Sequence, residues 1–512
     1  MISKIHTMGL RGIGAYRIEV ECSTFTLSSD FEIVGLPDAA VKEAKERVAA
    51  ACENNGLKFP ESSIMVNLAP ANTKKEGSSF DLAILLSILT VLPRGLRSDS
   101  LSDKCFVGEL SLSGELRGVK GALSMSLEAK RTGIRELYVP AENANEAAAI
   151  EGIDVYGVRN VRELIYHLTG KKPLTKVVYD SSAEKAFSSP ITDFSDVKGQ
   201  RKAKRAMEIA AAGGHNVLMI GPPGSGKSML AKCLPGILPD MTFDESVETT
   251  MVHSVSLGGC PALIRNRPFR SPHHTVSAPG LIGGGANPRP GEVSLAHNGV
   301  LFLDEFPEFN RNIIDALRQP AEDGYVTVTR VSASVRYPAR FMLVCAMNPC
   351  RCGYFGSSDH ICTCSEDSIH KYLGKVSGPM LDRMDIQVEL PSVTYAEMSD
   401  NTKSAETSAV VKERVDRARR FAKERYKREG ITAENNARLT PREIRECCIM
   451  DEDAQNMMRS AFERLGLSAR AHDKILKVAR TIADLDGSEN IKSMHIAEAI
   501  QFRSLDRKYW NR

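Results

Sequence analysis

Gly221-Pro222-Pro223-Gly224-Ser225-Gly226-Lys227-Ser228 decides the fold of the middle of this chain. The stretch fits G-x-x-x-x-G-K-[ST] at every fixed position. The apolar run Asn216-Val-Leu-Met-Ile220 enters it, and the helix-compatible Met229-Leu-Ala-Lys-Cys-Leu234 leaves it. Strand, glycine-rich turn and helix in that order make a phosphate cradle. The glycines let backbone N–H groups close around phosphate oxygens, and the helix N-terminus adds partial positive charge. Lys227 is then expected to reach the β- and γ-phosphates of ATP, with the Ser228 hydroxyl on Mg²⁺.

Two further apolar runs supply the rest of such a site. Val300-Leu-Phe-Leu-Asp304-Glu305 reads as a buried parallel strand that ends in two acids, at the carboxyl edge where open α/β sheets place ligands. Asp304 is placed to hold Mg²⁺ and Glu305 to polarise the attacking water. Phe341-Met-Leu-Val-Cys-Ala-Met-Asn348 is another such strand, and Asn348 suits orienting that water. Arg383, in Met380-Leu-Asp-Arg-Met-Asp385, and Arg470, in Ser468-Ala-Arg-Ala-His472, are candidates for charge beside a γ-phosphate, one of them from a neighbouring subunit. A solvated arginine is the alternative for each.

The 512 residues exceed one core and suggest three or four domains, with the 42% hydrophobic and 26% charged content of an ordinary soluble protein. Residues 1–170 alternate short strands with helical patterns, an α/β signature. Leu36 to Asn55 reads as a helix opened by Pro37-Asp38. Met65–Leu68, Cys105–Gly108, Tyr138-Val139 and Val155-Tyr156 read as strands. Residues 171–195 read as a Ser-, Pro- and Lys-rich linker. Gln200 to Ala212 reads as a basic helix opening a second α/β unit, 196–391, and 392–512 is helical by period. The longest apolar run, Leu82 to Leu92, is too short to span a bilayer, and the first residues lack a signal-peptide core, so no membrane and a cytoplasmic location are expected. A net charge of +3 confines any nucleic-acid binding to local basic patches. Twelve cysteines in such a compartment point to thiols or metal rather than disulfides.

These motifs together resemble an AAA+ ATPase of the magnesium-chelatase and MCM-like branch, and more narrowly the ComM/YifB family. The resemblance rests on Arg267-Pro-Phe-Arg-Ser-Pro-His-His274, Gly283-Gly-Gly-Ala-Asn-Pro-Arg-Pro-Gly-Glu-Val-Ser-Leu-Ala-His297, Leu317-Arg-Gln-Pro-Ala-Glu-Asp-Gly324, Asn348-Pro-Cys-Arg-Cys-Gly353 and Ser377-Gly-Pro-Met-Leu-Asp-Arg383. It implies an α/β chain with a Lon-protease-like N-terminal domain, an AAA+ P-loop core with MCM/chelatase-type inserts, and a helical C-terminal lid. It further implies a homo-hexamer hydrolysing ATP between subunits, with Asn348 as sensor 1, Arg383 as a finger acting in trans and Arg470 as sensor 2. Family members resemble motors that drive branch migration on single-stranded or branched DNA during integration of transforming DNA. Two other readings stand beside it: a motor subunit inserting Mg²⁺ into a porphyrin, and a protein-remodelling ATPase.

The insert residues Arg265, Arg267, Arg270, His273, His274 and Arg289, set among glycines, could track a phosphate backbone. Val326 to Val335 reads as a hairpin with Arg330 near its tip, and nine basic residues crowd Lys412 to Arg428. In the amino-terminal part, Lys75-Glu-Gly-Ser-Ser-Phe-Asp81 resembles the protease motif and puts Ser79 at the nucleophile position. The lysine position falls on Leu123, which cannot accept a proton, so a non-catalytic domain is expected. Lys120, three residues away, is a weak substitute. Cys350-x-Cys352 and Cys362-x-Cys364 put four thiols in 15 residues, a set that suits structural Zn²⁺ or, in the blander reading, idle thiols.

Overall fold

The computed structural model describes residues 2–510 apart from 26–29, 61, 93–94, 183, 185–191, 258, 261, 286–287, 330–333, 358–359 and 396–405. Arg330 therefore lies outside the described residues.

The amino-terminal unit is a seven-stranded mixed sheet in the order β3-β4-β2-β1-β5-β8-β9. Its strands are β1 (Ile2–Arg11), β2 (Gly14–Phe25), β3 (Phe31–Val34), β4 (Ser63–Ala69), β5 (Lys104–Phe106), β8 (Glu136–Pro140) and β9 (Asp154–Val158); the short pair β6 (Glu109–Leu110) and β7 (Leu116–Arg117) stands apart. The β1–β2 hairpin went unread in the sequence. Its second strand alternates buried Ile18, Val20 and Cys22 on one face with part-buried Arg17, Glu19 and Glu21. The all-buried helix Asp81–Val91 covers that face. The helix expected over Leu36–Asn55 is two, Ala39–Lys42 and Ala44–Asn54, broken at Glu43; its start is set by Leu36 at a left-handed φ of 59° and by Asp38, which accepts from Val41 N–H at 2.8 Å.

The second unit is a five-stranded parallel sheet. Its order is β11 (Phe269–Arg270), β14 (Val300–Leu303), β17 (Met342–Met347), β10 (Val217–Ile220), β18 (Ile386–Glu389). The short β12 (Gly283–Gly284) and β13 (Arg289–Pro290) pair with each other, as do β15 (Tyr325–Thr329) and β16 (Ser334–Pro338), which form the expected hairpin. Successive strand residues point to opposite faces, so each strand feeds two cores. Val217, Met219, Phe302 and Val344 meet the helices Arg201–Gly213, Ser408–Glu429 and Ala469–Leu485. Leu218, Ile220, Leu303 and Cys345 meet the other face together with Leu505 and Tyr509. The helical C-terminal region therefore completes both faces of the sheet rather than forming a separate core. Its chain also closes the β18 edge: Gln387 N–H donates to the Phe502 carbonyl at 2.8 Å.

Residues 171–182 lie along the amino-terminal unit, with Val177 N–H on the Val155 carbonyl at 2.8 Å. The two sheets are joined by the helix Phe243–Leu257, whose Val247 packs among Leu123, Ala147 and Ile150. The buried Glu146 carboxylate accepts there from Ser254 Oγ (2.6 Å), Cys260 N–H (3.2 Å) and Leu123 N–H (3.3 Å). Among the described residues no helix is long and apolar enough to cross a membrane.

Candidate functional site

The strand order explains why residues 121 positions apart meet. β17 sits between β10 and β14, so the carboxyl ends of all three open on one crevice, where the order of successive strands reverses direction. The phosphate loop follows β10, Asp304 follows β14, and Asn348 follows β17. Gly221 has no room for a side chain: a Cβ would lie 2.4 Å from the Leu390 carbonyl oxygen. Gly226, at φ 88°, starts the helix Lys227–Cys233 from the left-handed region.

Ser228 Oγ donates to Asp304 Oδ2 at 2.6 Å. Lys227 Nζ donates to the carbonyls of Gly221 (2.7 Å) and Pro222 (2.8 Å) and to Asn348 Oδ1 (3.1 Å). Burial pushes the Lys227 ammonium down to about 8, opposed by the Asp304 charge. An anion entering the cradle would favour the protonated form. Hydroxyl plus carboxylate is a hard-oxygen donor pair of the kind Mg²⁺ takes alongside substrate phosphates.

Glu305 is exposed and held at φ 50°, a conformation rare for a residue with a Cβ. Its N–H donates to Asp304 Oδ1 at 2.9 Å, and its carboxylate meets His274 Nδ1 at 3.1 Å. His274 lies against His273, ring centroids 4.1 Å apart and planes tilted by 34°.

Among the described residues neither arginine makes a hydrogen bond or ion pair with Lys227, Ser228, Asp304, Glu305 or Asn348. Arg383 is bound to the helix Arg318–Asp323 region, with Nη2 on Glu322 Oε1 at 2.6 Å and Nε on the Arg318 carbonyl at 3.3 Å. Arg470 is exposed in the first turn of the helix Ala469–Leu485. Four residues on, the same helix carries Lys474, whose ammonium meets buried Asp385 at 3.0 Å. Asp385 also accepts from Asn216 N–H at 3.2 Å and faces His215 at 3.5 Å. Burial opposes the Asp385 charge, but Lys474 and His215 outweigh it and hold the carboxyl well below the ordinary range. Neither Lys474 nor Asp385 stood out in the sequence, because the partners lie far apart without any periodic signal. Gln200 was likewise missed as a site residue. Its Nε2 ties the Ser225 carbonyl (3.2 Å) to that of Pro391 (2.7 Å), bracing the phosphate loop.

In the basic insert, most of the arginines have partners within the chain. Arg265 pairs with Glu184 at 3.1 Å, and Arg270 with Glu292 at 2.6 Å. Arg267 donates to the Pro239 (2.6 Å) and Asn298 (2.7 Å) carbonyls. Arg267 is largely covered, whereas Arg265 and Arg270 are paired but still reach solvent, beside exposed His273 and Arg289. In the helix Ser408–Glu429, Arg414, Arg425 and Arg428 are likewise taken by Glu208, Asp484 and Glu489. In the amino-terminal unit Leu123 is fully buried and Ser79 is half-buried.

The four cysteines of the 350–364 loop converge, their sulfurs all within 4.8 Å of one another.

Comparison with known proteins fits this geometry. Residues 193–398 match the family "Magnesium chelatase, subunit ChlI", residues 18–143 "Subunit ChlI of Mg-chelatase", and residues 405–503 "Magnesium chelatase, subunit ChlI C-terminal". The chain is 42% identical to the competence protein ComM of Haemophilus influenzae, covering 98% of this chain and 97% of that one. It is 41% identical to the uncharacterized protein YifB of Escherichia coli, covering 99% and 98%. A 38 kDa magnesium-chelatase subunit of Rhodobacter capsulatus is 30% identical over 33% of this chain and 53% of its own. The chain belongs to the ComM/YifB family of magnesium chelatase-like proteins, with the AAA+ α/β architecture and its helical C-terminal region.

Proposed function

We propose that this ComM/YifB family member is an ATPase that works as a homo-hexameric ring and moves on single-stranded or branched DNA, driving branch migration during integration of transforming DNA. The ATPase half is carried by one observation: Ser228, Asp304, Lys227 and Asn348 meet within hydrogen-bond distance at the carboxyl ends of three adjacent parallel strands. The DNA half is supported by full-length likeness to a competence protein, against likeness over a third of the chain to the chelatase subunit. That contrast favours a DNA motor over porphyrin metalation.

In this reading Lys227 leaves the Gly221 and Pro222 carbonyls and takes the β- and γ-phosphates. Ser228 and Asp304 would hold Mg²⁺, which when bound would supply positive charge against the transferring phosphoryl group. Glu305, released from His274, polarises the attacking water, and Asn348 orients it. Arg383 exchanges Glu322 for the γ-phosphate of a neighbouring subunit, and Arg470 approaches from the C-terminal helices. Both act where charge develops.

The deciding experiment is the ATPase rate with no DNA and with single-stranded, duplex and four-way-junction DNA. Stimulation by single-stranded or junction DNA is expected. Stimulation only by unfolded protein would move the reading to a protein remodeller.

A further inference from the structure

We infer that Cys350, Cys352, Cys362 and Cys364 hold a zinc ion that braces the phosphate loop, so that metal occupancy sets nucleotide affinity. The inference rests on reading 221–228 as the ATP site.

The sulfur geometry is that of a mononuclear cage. Cys350 and Cys352 sulfurs are 3.3 Å apart, Cys352 and Cys362 3.5 Å, and Cys350 and Cys362 3.7 Å, with Cys364 inside the same cluster. Four sulfurs about 2.3 Å from a tetrahedral zinc lie about 3.8 Å from one another. The observed separations are far too long for disulfides, and all four thiols are free. Backbone N–H groups already point at the sulfurs: Phe355 at Cys350 (3.3 Å), Tyr354 and Thr363 at Cys352, and the Cys364 N–H at Cys362. Donors of this kind stabilise thiolate ligands and fix their orientation. Protein fills all four positions, which makes the site structural and closed to chemistry.

The position of the cage gives it a job. The loop touches the phosphate cradle at two points. Gly353, at φ 88°, lies so close to Pro223 that a Cβ there would be 2.5 Å from its Cδ. Asn348, two residues before the first cysteine, accepts from Lys227 at 3.1 Å. The far side of the loop is anchored by Phe355 against Tyr509, ring centroids 6.2 Å apart. Between these points the segment from 350 to the helix at Glu366–Leu373 has no regular secondary structure among its described residues. A metal crosslink is what would make such a segment stiff enough to press on Pro223 and to keep Asn348 in place.

The test uses the full chain. Protein purified without chelator should carry about one zinc per chain by mass spectrometry of the metal. Less than about a tenth, or iron in its place, overturns the assignment. Stripping the zinc should weaken binding of a fluorescent ATP analogue roughly tenfold, and adding Zn²⁺ alone should restore it. Unchanged affinity in the stripped, folded protein overturns the bracing role. Gly353→Ala keeps all four thiols, crowds Pro223 and strains the left-handed backbone at φ 88°. It should retain zinc yet bind the analogue more weakly, and wild-type affinity in this variant also overturns the bracing role. If the zinc-loaded wild-type protein binds no nucleotide, the ATP-site reading falls while the zinc count stands by itself.

Discussion

Lys474→Met should destabilise the ATPase unit by an amount the geometry allows to be worked out. Asp385 is 8% exposed, and its closest cation is Lys474, at 3.0 Å. Removing one partner of a buried ion pair costs about 3–5 kcal/mol, because the other charge stays buried. Asp385 keeps the Asn216 N–H at 3.2 Å and His215 at 3.5 Å, which places the cost near the lower bound, about 3 kcal/mol. For a unit of this size that corresponds to a fall of about 6–12 °C in the Tm of the ATPase transition, read by differential scanning calorimetry. The folded-state pKa of Asp385 is depressed, so its contribution is fully present above the unfolded carboxyl value and is lost as pH falls toward the folded one. The gap between wild type and Lys474→Met should therefore narrow below about pH 4. Asp385→Leu with Lys474→Met removes both charges and should cost less than Lys474→Met alone. If the double variant is as damaging as the sum of the two singles, the residues are not coupled and the argument fails.

Lys227→Ala should abolish ATP hydrolysis and weaken nucleotide binding, whereas Glu305→Gln should bind ATP and stop turnover; wild-type hydrolysis in Glu305→Gln removes Glu305 from the water-polarising role. His274→Ala deletes the partner 3.1 Å from the Glu305 carboxylate and should raise the DNA-free ATPase rate severalfold, so a lowered rate would show that His274 assists Glu305 instead of restraining it. Ser79→Ala should leave ATPase and DNA activities unchanged with no peptidase activity at any stage, and serine-directed labelling lost on this substitution would overturn the inert reading of the amino-terminal unit.

The phosphate loop and the strands ending in Asp304 and Asn348 were legible because each carries a local signal: a spaced motif, or a continuous apolar run closed by a polar residue. The Ser228–Asp304 contact followed from those signals once the strands were parallel. What escaped reading depends on partners far apart in the chain. Glu146 looks like any helix-forming glutamate until Ser254 and Cys260 arrive from 108 and 114 residues away. Arg265, Arg267 and Arg270 read as a basic, glycine-flexible loop, and only tertiary packing shows that each has an acid or carbonyl partner, Glu184 coming from the linker. The β1–β2 hairpin was hidden by its short loop and by Arg17, Glu19 and Glu21 alternating along its second strand. The cysteine spacing predicted convergence, but the contact of Gly353 with Pro223 has no sequence signature.

The C-terminal helices complete both faces of a sheet whose first strand starts at Val217, and this bears on synthesis at the ribosome. While residues 217–390 emerge, Val217, Met219, Phe302 and Val344 have the helix Arg201–Gly213 and the Leu230–Leu238 segment beside them but not the C-terminal helices; Ile475, Val478 and Ile482 are still unmade. The β18 edge likewise waits for Phe502. For the time needed to translate more than a hundred further codons, a nascent chain presents an open apolar face and an unpaired strand edge, the two features that favour off-pathway association. Slow codons or chaperone-recruiting segments placed between 391 and 505 would thus affect yield without touching any residue of the mature site.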